Sequence, residues 1–436
     1  MVRDLNVWFF GECVGVLTQD MGQLSFRYLP QWLESKNAIP LSQSLPLIAE
    51  PFADKLTKPF FAGLLPEGDK RLTVAKILKV SNKNDFAILD GIGGECAGAL
   101  ILLEPGQTPP SEEYSSKSIE WLDEDQLFGV LETLSKKPLL AGESGLRLSL
   151  AGAQEKLPVV VREVQRKEVL SKDGPASPFE IGLPKDNVPS SYILKPEISG
   201  VEGSVYNEAF CLSLAKKLKF ITANAKIGST NNKTYLLVER YDRFLDHSGQ
   251  LKRLHQEDFC QALGIPPELK YQNEGGPSIG DGFALIRKVT SPSASNLLRL
   301  LDYIIFNCLV GNNDAHAKNF SLLYGKNGPQ LAPLYDVLST AVYPDLTDKM
   351  AMKIGSKYRF DEVYARHWLQ MGEAAQLSPS LLKKRVLEIA KELPNLAKEL
   401  QTQFEEKGCN HPIITKIISL IEERCATTIH RFSIDK

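Results

Sequence analysis

A polar segment that follows a long apolar stretch constrains the fold of this chain more than any other part of its sequence. Residues 297–309 are largely apolar and favour a buried helix. Asp314 follows this stretch, with Asn319 after four intervening residues and Asp336 about one strand and one turn further on. Enzymes of the protein-kinase type use this spacing to transfer phosphoryl groups. It predicts that Asp314 orients an acceptor hydroxyl while Asn319 and Asp336 hold magnesium, an ion that prefers hard oxygen ligands.

The composition sets limits on size, partners and compartment. The 436 residues are enough for two or three domains with a sizeable core. The formal net charge of −2, from 51 Lys plus Arg against 53 Asp plus Glu, argues against a dedicated binder of polyanions. Seven scattered cysteines without a C-x-x-C pair predict reduced thiols and argue against a disulfide framework or a zinc site. The N-terminal residues lack the apolar core of a signal peptide, and no apolar run approaches a membrane span, so we expect a cytoplasmic protein.

The periodicity of apolar residues predicts strands near the N-terminus and helices towards the C-terminus. The predicted strands cover residues 6–10, 13–17, 24–28 and 97–103. The predicted helices cover residues 85–92, 119–134, 205–218, 297–309, 380–404 and 411–432. Between residues 145 and 245 strands and loops dominate, and beyond residue 256 the pattern is helical.

These elements predict an α+β, bilobal, protein-kinase-like fold with an extra N-terminal subdomain. A Pro-, Ser- and Glu-rich stretch, residues 104–117, is the linker candidate. We predict a β-rich subdomain over 1–110, a kinase N-lobe with phosphate loop, lysine strand and hinge over 118–245, and an all-helical C-lobe over 246–436. A ligand is expected in a cleft between lobes of this kind.

An Asp and an Asn at this spacing are weak support for a kinase when they stand alone. The interpretation therefore depends on whether nucleotide-binding candidates lie upstream. Small residues at Ala151, Gly152 and Ala153 would let backbone N–H groups approach phosphate oxygens closely, with Gln154 beside them. The alternative is a small-residue turn between strands, which would be favoured if this stretch were considered in isolation.

A lysine at the end of an apolar strand is the second upstream candidate. Lys195 ends the strand-like run 191–195 and could reach the α- and β-phosphates, as the strand lysine of kinases does. The alternative is a solvated lysine on an edge strand. Glu208, on the helix that starts near residue 205, could pair with Lys195 or simply lie at a favourable helix N-terminus.

An apolar strand that runs into charges, residues 234–243, resembles a nucleotide hinge. Backbone groups around Glu239 and Tyr241 could contact adenine, with Asp242 near the ribose; the alternative is an ordinary strand with solvated ends. In the opening motif, His316 could contact the ribose or cap its own loop. Lys318 is a candidate for neutralising the γ-phosphate, with an exposed lysine as the alternative.

The order of these features strengthens the kinase interpretation. Phosphate loop, lysine, helix glutamate, hinge, the Asp–Asn pair and the metal-binding Asp follow one another as in a bilobal kinase, although the loop has neither kinase nor Walker A form. A coincidence of all six is much rarer than any single alternative.

With these motifs in place, the chain resembles the HipA family, the kinase toxins of bacterial HipBA toxin–antitoxin modules. The resemblance covers nearly the whole chain. Its motifs are residues 41–47, 60–68, 96–100, 149–156, 193–195, 238–243, 256–258, 314–320 and 335–336. The sequence departs from the usual family form at Asn313, where Thr is common, and at Ala315, where Gly is common. Neither change removes the base or a metal ligand.

The resemblance implies a serine/threonine protein kinase that uses ATP and magnesium. Carried over residue by residue, it makes Asp314 the catalytic base. Family members phosphorylate a serine in the phosphate loop, and Ser149 occupies that place. In the same way Lys195 would bind phosphates, Asn319 and Asp336 magnesium, Glu239 and Tyr241 adenine, and Asp242 and His316 the ribose region.

The resemblance also implies partners. Family targets are translation factors, notably aminoacyl-tRNA synthetases, and the family partner is a small helix-turn-helix antitoxin that binds operator DNA, with the kinase as corepressor. Two alternatives stay open at this point. One is a weakly active or inactive subunit of a DNA-bound repressor complex, and the other is a small-molecule kinase.

Overall fold

The computed structural model describes residues 2–109, 118–163, 170–171, 174–175 and 179–434. It divides into two compact units, Met1–Pro196 with Gly228–Glu257 and Glu197–Ile227 with Asp258–Lys436. This division differs from the three expected segments, because the first two merge into one unit and residues 197–227 join the second. The linker candidate 104–117 lies outside the described residues from position 110 onwards.

The first unit begins with a four-stranded sheet in which each strand pairs antiparallel with its neighbours, in the order β3-β2-β1-β4. Along β1 the side chains of Leu5, Val7 and Phe9 are buried and alternate with more exposed ones, as expected for a sheet with one face in the core. The predicted strands near the N-terminus and before residue 104 are therefore confirmed. The strands are β1 (Arg3–Phe9), β2 (Glu12–Asp20), β3 (Gln23–Tyr28) and β4 (Leu100–Leu103).

Short helices follow the first three strands, and the predicted helix over 85–92 is confirmed. The helices of the first unit are α1 (Pro30–Leu33), α2 (Asp54–Ala62), α3 (Gly68–Ile77), α4 (Asp85–Ile92) and α5 (Glu124–Thr133). The helix predicted over 119–134 is wrong at its start. Ile119–Leu122 instead forms a strand, and Asp123 then caps α5 by accepting a hydrogen bond from the backbone N–H of Gln126.

A six-stranded sheet completes the first unit, in the order β11-β12-β10-β6-β9-β5. Its strands, together with two short hairpins, are β5 (Ile119–Leu122), β6 (Leu157–Glu163), β7 (Leu170–Ser171), β8 (Gly174–Pro175), β9 (Phe179–Pro184), β10 (Tyr192–Pro196), β11 (Ala225–Thr230), β12 (Lys233–Glu239), β13 (Arg243–Leu245) and β14 (Leu251–Arg253). Strand β15 (His255–Asp258) follows at the boundary of the units.

One hydrophobic core joins both sheets of the first unit. It runs from Leu5 and Val7 of the first sheet to Leu194 and Leu237 of the second without interruption. Because this core is shared, the segment 1–110 has no separate hydrophobic interior of its own. That is the physical reason why the expected boundary near residue 110 does not separate two compact bodies.

The second unit is built mainly from helices, as expected, and its longest ones match the predicted positions. They are α6 (Ser204–Lys217), α7 (Phe259–Leu263), α8 (Ile279–Val289), α9 (Ser293–Val310), α10 (Ala365–Ala374), α11 (Pro379–Glu406) and α12 (Pro412–Ile434). The rings of Phe210 on α6 and Phe404 on α11 meet edge to face at 5.5 Å. Arg424 on α12 donates to the carbonyl of Cys308 on α9 at 2.7 Å.

The expectation of an all-helical C-terminal part is wrong in one respect, although the α+β class is confirmed. Two short antiparallel hairpins lie in the second unit. The first turns at Lys326-Asn327, and Asn327-Gly328 is a sequence that favours tight hairpin turns. The strands are β16 (Ser321–Gly325), β17 (Gly328–Leu331), β18 (Lys349–Ile354) and β19 (Lys357–Arg359).

All seven cysteines lie among the described residues, and no disulfide bond joins any two of them. Among the described residues, no helix combines the length and the apolar character needed to span a membrane.

Candidate active site

The segment that carries the Asp and Asn of the opening motif is placed by the end of a buried helix. Helix α9 ends at Val310 and is followed by Gly311, whose φ of 80° is in the left-handed region that favours glycine. A Cβ at this position would lie 2.5 Å from Leu420. Asn312 then donates from Nδ2 to Oδ1 of Asn307 at 2.8 Å and accepts from the backbone N–H of Asp314 at 3.1 Å. The sharp turn and these amide contacts fix where the chain leaves the helix.

Asn313 anchors the next step of this loop. It is buried, and its Nδ2 donates to the carbonyl of Thr347 at 3.0 Å, while its carbonyl accepts from the backbone N–H of Ala351 at 2.7 Å. Its backbone N–H donates to Oγ1 of Thr340 at 2.8 Å. Asn313, which stands where the resemblance leads one to expect Thr, therefore holds the loop in place by hydrogen bonds from both its side chain and its backbone. Ala315, the other departure, lines a small apolar cavity of about 30 Å³ behind the loop.

The structure brings Asp314, Asn319 and Asp336 together in the second unit. Nδ2 of Asn319 faces the carbonyl oxygens of both Asp314 and Asp336 at 3.4 Å each. Asp314 is exposed to solvent, whereas Asn319 is buried and Asp336 is half-buried. Asp336 has a φ of 56°, an uncommon conformation for a residue with a side chain, which is often found at functional sites.

These residues fit a magnesium site of the kinase type. Because Nδ2 of Asn319 is directed at two carbonyls, the amide presents Oδ1 on its other side, and Asp336 supplies a carboxylate nearby. Magnesium commonly binds proteins through one or two such oxygens and completes its shell with phosphate oxygens and water. Among the residues described, no cluster of three or more His, Cys, Asp or Glu side chains could hold a metal by itself. With phosphate oxygens completing the shell, Asn319 and Asp336 would be able to hold such an ion.

Lys318 and His316, from the same loop, are both buried. Nζ of Lys318 lies 3.5 Å from Oδ2 of Asp258, the residue that caps α7, and its side chain is 5% exposed. The alternative of a solvent-exposed lysine is therefore wrong. His316 is 6% exposed, and its side chain makes no hydrogen bond that caps the short helical turn Ala317–Asn319. Contact of these two residues with nucleotide stays a prediction.

The remaining sequence candidates, apart from Glu208, lie in the first unit, beginning with the phosphate-loop candidate. Ala153 is exposed and Ala151, Gly152 and Gln154 are half-exposed, whereas Ser149 at the base of the loop is fully buried. The Ser149 hydroxyl donates to the carbonyl of Leu64 at 2.7 Å.

Gly152 has a backbone conformation that favours glycine. Its φ is 109°, which only glycine adopts readily, and a Cβ there would lie 2.7 Å from Nζ of Lys156. The carbonyl of Gly152 accepts from the backbone N–H of Glu67 at 3.1 Å. This hydrogen bond thus holds the loop against the N-terminal part of the same unit, while the next residue, Ala153, is exposed.

Lys195 is buried on a central strand. Strand β10 lies between β6 and β12, and Lys195, which pairs with Leu236 of β12, is 6% exposed. This excludes the alternative of a solvated lysine on an edge strand. Contact of Lys195 with nucleotide phosphates stays a prediction. Glu208 is buried on α6 of the second unit.

The hinge candidate continues directly from strand β12. Glu239 ends this strand and is half-buried, and the backbone N–H of the next residue, Arg240, donates to the carbonyl of Ser191 at 2.9 Å. The hydroxyl of Tyr241 contacts Oε1 of Gln256. Adenine binding by Glu239 and Tyr241 stays a prediction.

A buried ion network, which sequence reasoning missed, surrounds this hinge. Its centre is Glu95, which is 0% exposed and contacts three guanidinium groups. Oε1 accepts from Arg243 at 2.7 Å and from Arg240 at 3.1 Å, and Oε2 accepts from Nε of Arg253 at 3.1 Å. The backbone N–H and the hydroxyl of Ser190 also donate to Oε1, at 3.0 and 2.9 Å. The network therefore ties the N-terminal part of the unit to the hinge.

Asp242 belongs to the same network, which changes its expected role. It is 1% exposed, and Arg240 donates to its two carboxylate oxygens at 2.9 and 2.8 Å. Arg243 lies 3.1 Å away, and the backbone N–H of Gly98 donates at 2.7 Å. The expectation that Asp242 contacts a ribose finds no support here, because both oxygens are already engaged by buried donors. Its place in the network makes it a structural support of the hinge.

The buried groups near the hinge are expected to make the fold sensitive to acid. Burial lowers the pKa of His255 from 6.5 to about 4, although its Nε2 donates to the carbonyl of Leu41 at 2.7 Å. Burial alone would raise the pKa of Glu95, but the charges of Arg253, Arg243 and Arg240 outweigh it and lower that pKa from 4.5 to about 2. Both groups bind protons more readily in the unfolded chain than in the folded one. Stability is therefore lost as pH falls, through 6.5 to 4 for His255 and through 4.5 to 2 for Glu95.

Denaturant unfolding at pH 7 and pH 4 measures this effect. We expect the free energy of unfolding to fall by about 3 kcal/mol between these values from His255 alone. The variant His255→Gln should lose most of this decrease. An equal decrease in both proteins would show that His255 is not its source.

Comparisons with known proteins show which family the chain is similar to. The family model of the HipA N-terminal domain matches residues 5–103, and that of the HipA-like C-terminal domain matches residues 148–397. Y4mE of Sinorhizobium fredii, a candidate kinase by its name, is 47% identical over 387 residues, which cover 88% of this chain and 89% of that protein. The serine/threonine-protein kinase toxin HipA of Shewanella oneidensis is 28% identical over 401 residues, 87% of each chain.

A solved structure has the same fold over nearly its whole length. It is HipA of Shewanella oneidensis in a complex with HipB and its operator DNA, with a TM-score of 0.81 and 25% sequence identity over 98% of each chain. The C-terminal family model covers more than half of this chain, and a relative at 47% identity spans most of it. The chain therefore belongs to the HipA family.

Proposed function

We propose that this chain is an ATP- and magnesium-dependent serine/threonine protein kinase and the toxin of a toxin–antitoxin module. The observation that carries the proposal is that Asp314 and Asn319, on the loop after α9, lie beside Asp336, on the segment after β17. Family membership supports it, as does the 28% identity to a protein named as a serine/threonine kinase toxin.

In the proposed reaction Asp314 acts on the acceptor hydroxyl. Its carboxylate accepts the proton of a serine or threonine side chain as that oxygen bonds to the γ-phosphorus. The bond from the γ-phosphorus to the bridging oxygen of ATP breaks, and ADP leaves with its electron pair. Asp314 suits this task because it is exposed on a loop whose backbone is firmly tied.

The other candidates position and neutralise the nucleotide in this proposal. Bound magnesium would supply charge neutralisation for the phosphate oxygens, and Asn319 and Asp336 would hold it. Lys318, which lies beside Asp258, would face the γ-phosphate. Lys195 would contact the α- and β-phosphates.

The remaining nucleotide contacts come from the loop and hinge candidates. The backbone of residues 151–154 would receive phosphate oxygens, helped by the exposed tip of that loop. Glu239 and Tyr241 would contact adenine and His316 the ribose.

We further propose the partners that the family resemblance implies. A small helix-turn-helix antitoxin of the HipB kind would bind the chain, and operator DNA would be contacted mainly through that antitoxin, with the kinase as corepressor. The solved complex of a 25% identical chain with HipB and operator DNA supports this. The protein substrate would be a translation component such as an aminoacyl-tRNA synthetase.

Transfer of labelled γ-phosphate tests the catalytic part of the proposal. The purified chain, with ATP and magnesium, is expected to label itself or a protein of a bacterial lysate, and omission of magnesium should prevent labelling. A chain that labels neither contradicts the kinase proposal and favours a subunit whose role is repression.

Phosphorylation of Ser149 is proposed to inactivate the kinase. The Ser149 hydroxyl is buried against Leu64, so there is no room for a phosphate group unless the loop leaves its place. The group adds nearly two negative charges at neutral pH, which would also repel the phosphates of ATP.

The Ser149→Ala variant tests this regulation. During preincubation with ATP and magnesium the wild-type chain is expected to lose activity as phosphate accumulates in the loop, whereas Ser149→Ala should keep its initial rate. Ser144→Ala, which changes an exposed serine upstream in the same segment, is the control and should decay like the wild type. If Ser149→Ala decays at the wild-type rate, another site or another process inactivates the enzyme.

A further inference from the structure

A tyrosine outside the recognised motifs contacts the proposed base. The hydroxyl of Tyr271 donates to Oδ1 of Asp314 at 2.7 Å. Its ring meets the buried ring of His316 edge to face at 5.2 Å, with an angle of 83° between the planes. Tyr271 lies between helices α7 and α8, in a stretch to which the sequence analysis assigned no task.

The backbone at Tyr271 is held by a turn that requires glycine twice. The carbonyl of Tyr271 accepts from the backbone N–H groups of Glu274 and Gly276, both at 3.0 Å. Gly275 has a φ of 96°, and a Cβ on Gly276 would lie only 2.0 Å from the carbonyl oxygen of Leu269. The chain therefore turns tightly at Tyr271. A side chain at Gly276 would clash with the backbone of Leu269, and one at Gly275 would be strained by its positive φ.

The residues on either side of Tyr271 are tied to the rest of the site. The carbonyl of Lys270 accepts from the backbone N–H of Ala317, in the same loop as Asp314, at 3.3 Å. Oε1 of Gln272 accepts from the backbone N–H of Lys353 on β18 at 2.9 Å. The tyrosine is thus fixed at its own backbone and at both neighbours, and its hydroxyl meets a carboxylate on an exposed side chain.

We propose that Tyr271 is a positioning residue for Asp314. This inference rests on the proposed kinase function. An exposed aspartate can rotate about its side-chain bonds, and a hydrogen bond to Oδ1 selects one orientation. The other oxygen, Oδ2, is then presented to the acceptor hydroxyl, as a catalytic base is oriented by a third group in other enzymes. The rigid support of Tyr271 favours this role over that of a gate that occupies the acceptor position and swings away.

The Tyr271→Phe variant removes the hydroxyl and keeps the ring. We expect kcat for phosphoryl transfer to fall by about tenfold, the size of one lost hydrogen bond to a charged group. The KM for ATP and the dissociation constant of the nucleotide should stay within about twofold of the wild type. Tyr343→Phe is the matched control, because Tyr343 is also half-buried in the second unit and its hydroxyl donates to the carbonyl of Glu202. Its kcat should match the wild type.

A second variant disturbs the same contact by changing the backbone turn that holds Tyr271. Gly276→Ala keeps the tyrosine hydroxyl but displaces the turn beneath it, so kcat should fall while nucleotide binding is kept. An unchanged or increased kcat in Tyr271→Phe would overturn the inference, and an increase would identify Tyr271 as a gate. A parallel loss of nucleotide binding would also overturn it, since that result indicates a general structural role.

The same assay separates this inference from the proposed function. If the wild-type chain transfers no phosphate, the kinase proposal itself fails. If the wild type is active and Tyr271→Phe equals it, only the positioning role is wrong.

Discussion

Replacement of Asp314 by asparagine is expected to lower the rate of phosphoryl transfer by about 10²–10⁴-fold, the usual contribution of general base catalysis. Asparagine keeps the size of the side chain and an oxygen that can accept from Tyr271, but its neutral amide cannot take the proton of the acceptor hydroxyl. Because Asp314 is exposed, the free energy of unfolding should change by less than about 0.5 kcal/mol. Nucleotide affinity should change little, so the loss should appear in kcat.

Single-turnover transfer of labelled phosphate, together with nucleotide titration, measures both parts of this expectation. Asp345→Asn is the matched control, since Asp345 is an exposed aspartate of the same unit that the proposal gives no role. An Asp314→Asn variant that transfers phosphate at the wild-type rate would exclude Asp314 as the base.

Replacement of Glu95 by alanine is expected to destabilise the fold by about 3–5 kcal/mol, the typical cost of removing one partner of a buried ion pair. The change would remove the carboxylate that pairs with the buried Arg240 and Arg243 and the half-buried Arg253. It would also remove the acceptor of the Ser190 backbone and hydroxyl groups. Since whole domains are commonly stable by only about 5–15 kcal/mol, such a loss could prevent the first unit from folding at 37 °C.

Glu95→Gln separates the loss of charge from the loss of packing. Its amide fills the same space but presents N–H groups to guanidinium groups, so we expect a large part of the destabilisation to persist. Glu12→Ala, which removes an exposed glutamate at the start of β2, should be nearly neutral. Chemical denaturation followed by circular dichroism measures all three. A Glu95→Ala variant within about 1 kcal/mol of the wild type would show that the arginines find other partners or water.

The sequence was most informative where function and local structure depend on the same few residues. The spacing from Asp314 to Asn319 and Asp336 predicted that these residues meet, and the structure brings them together. The apolar periodicity before Asp314 predicted a buried helix, and Ser293–Val310 is that helix. In both cases the signal lies within a short stretch of chain.

Other features depend on contacts between residues far apart in the sequence, which periodicity does not report. Glu95 lies 145 positions from Arg240 and 158 from Arg253, and each appears as an ordinary charged residue in its own segment. The same holds for Tyr271, which reaches Asp314 across 43 positions. The hairpin that turns at Lys326-Asn327 differs, because Asn327-Gly328 is a local turn sequence within a region that was predicted to be helical throughout.

The ion network also bears on how relatives in this family could exchange parts during evolution. The HipA N-terminal domain, matched over residues 5–103, carries Glu95, whereas the HipA-like C-terminal domain, matched over 148–397, carries the three arginines. A recombination event that joined these two segments from different ancestors would have to inherit the acidic residue and its cationic partners together. The two segments are therefore expected to be inherited together. A chimera whose segments lack matching charges should misfold, whatever activity its site residues could support.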